Sequence, residues 1–243
     1  MKLLKIGGSA FAIAGVEACS GAADADQRSF SEVIAEDGLS GVPDWSAAQT
    51  GSPEAAYLAG MAAALSAIEH VLQVRSSTYS GELPLAPGGQ ATIDYNPDAE
   101  FDPAFVETAM LGALGHFASA EDALVMATGK DFTVDVDLAE LWFDIDADGT
   151  KDEGEDALAQ LGILLGVSAD EALEVGNTVI QFDTADADWL AAYVHLASAS
   201  AELVLSVDPT SAITTVFEGN ERMQQLGIIG PDPFFGTQNE IDT

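Results

Sequence analysis

Seven of the thirteen residues from Asp144 to Asp156 are acids, and only Lys151 opposes them. Carboxylates that dense form either a solvated acidic turn or a site where a cation relieves their mutual repulsion. Their order points to that cation. Asp144, Asp146, Asp148, Asp152 and Glu155 stand at positions 1, 3, 5, 9 and 12 of a twelve-residue stretch, with Gly149 at position 6. Short Asp side chains on alternate residues can converge on one hard cation while the backbone curls round it, and Gly149 supplies the positive φ of a sharp turn. An all-oxygen set without Cys or His selects Ca²⁺ over transition metals. Chance is a poor competitor even in so acidic a chain. With 41 acids and 23 glycines in 243 residues, composition alone produces this spacing with a probability of about 0.003.

The stretch resembles an EF-hand loop, and the resemblance implies the remaining ligands. Thr150 offers its backbone carbonyl, Asp152 acts through a water, and Glu155 closes the shell with both oxygens. It also implies a helix on either side. Asp137–Phe143 suits an entering helix, with Asp137 as N-cap and Glu140 as its capping-box partner. Glu155–Gly166 suits an exiting helix with Leu158, Leu161 and Leu165 on one face, and its first-turn acids complement the helix dipole. Lys151 departs from the family at position 8, where an apolar residue normally pairs with a second loop. No second complete loop follows, so the resemblance implies a solitary structural site rather than a paired calcium switch.

Residues 1–25 read as a bacterial secretory leader: Lys2 and Lys5, a small apolar run from Ile6 to Val16, and a cleavage pattern at Ala23-Asp24-Ala25. Cys19, the sole cysteine, lies within it. It resembles a lipoprotein attachment site, but Glu17 spoils the match, so a lipid anchor is not favoured. The expected location is extracytoplasmic. Residues 26–243 are long enough for one domain with a substantial core. The formal charge of −34 repels nucleic acid and anionic membrane surfaces. The Ala-rich run Ala55–Ala67 is too short to span a bilayer. The remaining partner classes are another protein or a small molecule.

Helix signals dominate the domain. After a largely loop-like Asp26–Gly51 with one short helix near Ser31–Glu36, Ser52-Pro53 opens a helix with Leu58, Met61, Leu65, Ile68 and Leu72 as its core stripe. Glu69 falls close to that stripe and His70 away from it. A Gly/Pro/Ser-rich connection, Ser76–Asp102, leads to a second helix ending near Thr128, whose apolar side carries Met110, Leu111, Leu114, Phe117 and Leu124. Asp131–Val136 and Thr178–Phe182 read as short strands that pair. Ser168–Gly176 suits a short helix. Asp183, Asp186 and Asp188 read as caps for a helix over Ala187–Val207, with Trp189, Ala192, Leu196, Ala199 and Leu203 inward. A last helix runs from Ser211 to Gln225, followed by an extended tail, 227–243. The expected fold is mainly α: a helical bundle with an embedded EF-hand-like helix–loop–helix and at most a two-stranded β element.

Enzyme signatures are scarce. No G-x-S-x-G elbow, glycine-rich phosphate loop or H-E-x-x-H is present, and no histidine has a Glu three residues before it. The reading is therefore a calcium-binding protein with a binding or scaffolding role. The alternative is a calcium-stabilised, hydrolase-like enzyme using buried carboxylates, with Glu69, Glu107, Glu121 and Glu202 as candidates and His195 as a partner.

Self-repulsion at this charge opposes compaction, and mobile ions screen it over about 8 Å at physiological strength. The melting temperature, measured at saturating Ca²⁺, is expected to rise by several degrees from low to molar NaCl; an unchanged value would contradict this.

Overall fold

The computed structural model describes residues 28–78, 101–160 except 153, and 178–228. The expected leader, the helix at Ser168–Gly176 and nearly all of the tail lie outside them. Among the described residues the fold is mainly α, with six α-helices and a two-stranded antiparallel sheet.

The first departure from expectation comes early. Asp26–Gly51 is not largely loop: α1 (Phe30–Asp37), a 3-10 turn (Gly38–Gly41) and α2 (Val42–Ala48) follow in close succession. Ser29 and Glu32 close a capping box on α1. Val33, Ile34, Leu39, Val42 and Trp45 are buried. Helices of two turns show too few repeats for periodicity to reveal them.

Next come α3 (Pro53–Thr78) and α4 (Phe105–Ala127), which form the largest helix pair. Ser52 caps α3, its hydroxyl accepting from the Ala55 N–H. At 26 residues with a mean hydropathy of 1.4 in its most apolar window, α3 is by length and composition long and apolar enough to cross a bilayer, although the Ala-rich run Ala55–Ala67 within it is shorter than a span. Leu58 and Met61 are buried as expected, but Ile68 is 44% exposed.

The contact between α3 and α4 is made largely through small residues. On α4 it is Ala109, Ala113, Ala120, Leu124 and Ala127 that are buried, while Leu111 is exposed. A Cβ on Gly60 would stand 2.6 Å from Leu124 Cγ, and one on Gly112 would overlap the His70 imidazole. Interaxial distance follows the side chains at the contact, and small ones bring the backbones close.

The strands β1 (Thr133–Asp137) and β2 (Val179–Asp183) pair in register from Thr133↔Asp183 to Asp137↔Val179. Tyr57 packs on Phe132 and Phe182 with ring centres 5.3 and 5.5 Å away, fastening α3 to this ribbon. The final helices are α5 (Thr184–Leu205) and α6 (Pro209–Gln225). The α5 N-terminus is a capping box: the Asp183 carboxylate accepts from Ala185 N–H at 2.7 Å, and Asp186 accepts from Asp183 N–H at 2.8 Å. The expected inner stripe of α5 is instead its outer face. Trp189, Leu196 and Leu203 are all more than 60% exposed, whereas Ala187, Val194 and Ala201 are buried. α5 packs on α4, and those three are its buried residues.

These contacts separate two glycine substitutions that helix propensity treats alike. Gly60→Ala is expected to lose about 1–3 kcal/mol by overpacking against Leu124. Gly115 has nothing within 4 Å of its would-be Cβ, so Gly115→Ala is expected to gain about 0.5–1 kcal/mol. Urea denaturation at fixed Ca²⁺ measures both.

Candidate metal centre

The loop is entered by extended chain, which corrects the expected Asp137–Phe143 helix. β1 runs to Asp137, Leu138 N–H continues the ladder onto Thr178 O, and Asp137 turns the chain by accepting from Ala139 N–H. Leu141, Trp142 and Phe143 are then buried in succession. An extended backbone sends successive side chains to opposite sides. Three consecutive apolar residues can therefore all be covered only where packing exists on both. Trp142 reaches α1, its indole N–H donating to Ile34 O at 2.7 Å, and its ring lies where a Cβ on Gly38 would stand.

Across the loop, Trp142 pairs with Asp156 in an antiparallel bridge. Phe143 N–H donates to Glu155 O and Ala157 N–H to Leu141 O. The loop therefore closes on a β-bridge, and residues 157–160 are helical, as expected for the start of the exiting helix; the rest of the expected helix, to Gly166, lies outside the described residues.

Asp144, Asp146 and Asp148 each present a carboxylate oxygen within 4.8 Å of the others. The chain achieves this with positive φ at Ala147 (62°) and Gly149 (79°). Loop amides brace the acids: Gly149 N–H donates to Asp144 Oδ2, and Asp148 N–H to Asp146 Oδ1, both at 3.1 Å. Thr150 donates its N–H and hydroxyl to Asp148 Oδ1 at 2.7 and 2.6 Å, and these bonds lower the Asp148 pKa. Asp144 Oδ1 is sealed from solvent with no hydrogen-bond partner.

The other expected ligands are placed differently. Glu155 is buried, and its two oxygens span the loop, one accepting from Ile145 N–H at 2.6 Å and the other from Asp152 N–H at 2.8 Å. Burial raises its pKa despite those bonds. Thr150 and Asp152 are exposed. Lys151 holds Asp156 at 2.5 Å, so the residue that departs from the EF-hand pattern pairs with an acid outside the expected ligand set.

Two further residues that loop spacing does not reveal come from α3. Glu69 Oε2 accepts from Asp144 N–H at 2.9 Å, and Gln73 Nε2 donates to Asp144 O at 2.7 Å. Their sequence signal is faint: an acid beside a core stripe and an amide one turn later. Burial pushes the Glu69 carboxyl up to about 7; the Asp144 N–H bond opposes the rise, and repulsion from Asp144 and Glu155 adds to it.

Among the acids considered for catalysis, only Glu69 is buried. Glu107 accepts from the Thr210 hydroxyl, Glu121 pairs with the exposed His195 at 2.9 Å, and Glu202 is exposed.

In metal-free protein a carboxyl raised in the folded state stabilises fully below its unfolded pKa of about 4.5, and that contribution is lost as pH rises through about 7. Glu69→Gln keeps a carbonyl acceptor for Asp144 N–H but cannot ionise. Wild-type stability relative to this variant, measured by denaturation in chelator, is expected to fall between those pH values and then level off. A flat difference would contradict the assignment.

Comparison of the chain with family models, curated proteins and solved structures finds no match, and its function has to be read from the loop and what surrounds it.

Proposed function

We propose that this protein is an extracytoplasmic calcium-binding helical domain in which one Ca²⁺ orders a structural loop, in the service of a binding or scaffolding role. The observation that carries the reading is the convergence of Asp144, Asp146 and Asp148 on one point, with Asp144 Oδ1 sealed and unpartnered. A buried carboxylate oxygen without a donor is costly, and a cation at that point satisfies it. The chemistry of the set fits a hard cation. Glu155, Thr150 and Asp152 complete the expected shell, Glu155 while also bracing Ile145 and Asp152. Ca²⁺ at this point also relieves repulsion among Asp144, Asp146 and Glu155.

Binding that favours the folded state stabilises it by about 2.7 kcal/mol when free Ca²⁺ exceeds the dissociation constant 100-fold. Calorimetric titration of wild type is expected to show one site. Glu155→Gln should weaken it at least tenfold, because an amide presents its NH₂ to a backbone donor and loses an anionic ligand. Asp144→Ala should do the same, and Lys151→Ile should leave affinity within a few-fold. Equal binding by wild type and Glu155→Gln, or none by either, would contradict the reading.

The extracytoplasmic placement is supported by Lys2, Lys5, the apolar run and Ala23-Asp24-Ala25. N-terminal sequencing of native protein is expected to begin near Asp26. An intact Met1 would oppose this, and a lipid-modified Cys19 would replace it with an anchored form.

A further inference from the structure

Glu69 has a second oxygen. While Oε2 holds the Asp144 amide, Oε1 has no hydrogen bond or ion pair among the described residues and is not sealed from solvent, although the residue as a whole is only 9% exposed. Glu69 lines a cavity of about 390 Å³ between the 3-10 turn, α2, α3 and α4, within the size range of small-molecule sites. Its walls are mixed: His70, His116 and Gln73 line it beside Glu69, and burial, with His70 alongside, lowers the His116 pKa and favours its neutral form. Ala59, Ala62, Ala63 and Ala123 give an apolar surface, and Ser66 and Ser119 are among the polar lining residues. The Ser119 hydroxyl donates to Gly115 O, leaving its lone pairs free to accept.

We propose that this cavity binds a small organic ammonium ion, with Glu69 as its counter-charge and the alanine wall receiving a short apolar body. A buried carboxylate with an unused oxygen rejects anions and leaves its charge uncompensated against a neutral guest. The surrounding charge of −34 concentrates cations of any kind. A bare metal ion is the weaker occupant. Among the described residues, the grouping of three metal-ligating side chains is Asp144, Asp146 and Asp148, and it does not include Glu69; the alanine wall offers a metal nothing. An ammonium ion on a hydrocarbon stem uses both surfaces. The assignment does not require the loop to hold calcium, so the two proposals fail separately.

The test is calorimetric titration of the full chain with n-butylammonium chloride in calcium-containing buffer at pH 8.5, where Glu69 is ionised and the amine still protonated, and at 0.5 M NaCl, which screens diffuse attraction to the acidic surface. Ammonium chloride, 1-butanol and sodium butyrate serve as controls. One saturable site is expected for butylammonium, with each control at least tenfold weaker. Glu69→Gln should weaken it at least tenfold. Ser119→Phe should block it, because Ser119 is an exposed lining residue where a large ring fills the cavity without entering the core. If Glu69→Gln fails to fold, Ser119→Phe decides. No saturable binding by wild type, equal binding of butylammonium and ammonium, or unchanged binding in Ser119→Phe would overturn the proposal.

Discussion

The peptide unit of Asp144 is where the helical core and the acidic loop are joined. Its N–H is accepted by Glu69 and its carbonyl takes the Gln73 amide, both from α3. One turn of the central helix thus fixes the first residue of the loop, and the rest of the loop is measured from it. Asp144 Oδ2 accepts from Gly149 N–H across the turn, and Glu155 ties Ile145 to Asp152 from below. Removing water from Glu69 is costly, as its raised pKa records, and proximity to Asp144 and Glu155 adds to the cost. A cation in the loop would offset both. The same carboxylate leaves its other oxygen to the neighbouring cavity, so one side chain faces both of the proposed binding sites.

That arrangement needs α3 held firmly, and close helix packing does this. Gly60 lets α4 approach, Gly112 accommodates His70, and Tyr57 presses on Phe132 and Phe182 of the ribbon that leads to the loop. Trp142 then connects the loop's entry to α1. The consequence appears on the outside. Small side chains occupy the contacts, and large ones such as Trp189, Tyr193, Leu196 and Leu203 remain on the solvent side of α5.

This is also why some of the fold was legible in the sequence and some was not. Capping signals read well: Ser52-Pro53 and Asp183 with Asp186 each mark a helix start within a few residues. Alternation read well too, for β1 and β2 pair as expected. Inward faces did not, because hydrophobic periodicity weights large apolar residues and α4 and α5 bury alanine. The entering helix was misplaced for a related reason. Asp137 and Glu140 look like a capping box, but Leu141, Trp142 and Phe143 are covered only in extended chain. The convergence of Asp144, Asp146 and Asp148 followed from spacing alone. Glu69 and Gln73 did not, since they lie more than seventy residues away and only packing brings them to the loop.

The central claim is that a cation of calcium type seats in this loop, whose first residue, Asp144, stands two positions after Trp142. Terbium luminescence excited through tryptophan tests it most directly, since energy transfer requires the ion to lie close to an indole. Emission is expected to rise to saturation with one equivalent of Tb³⁺, to be displaced by Ca²⁺, and to fall strongly in Trp142→Phe and in Asp144→Ala. Emission that is absent in the wild type, or unaffected by Asp144→Ala, would place the ion elsewhere and contradict the account.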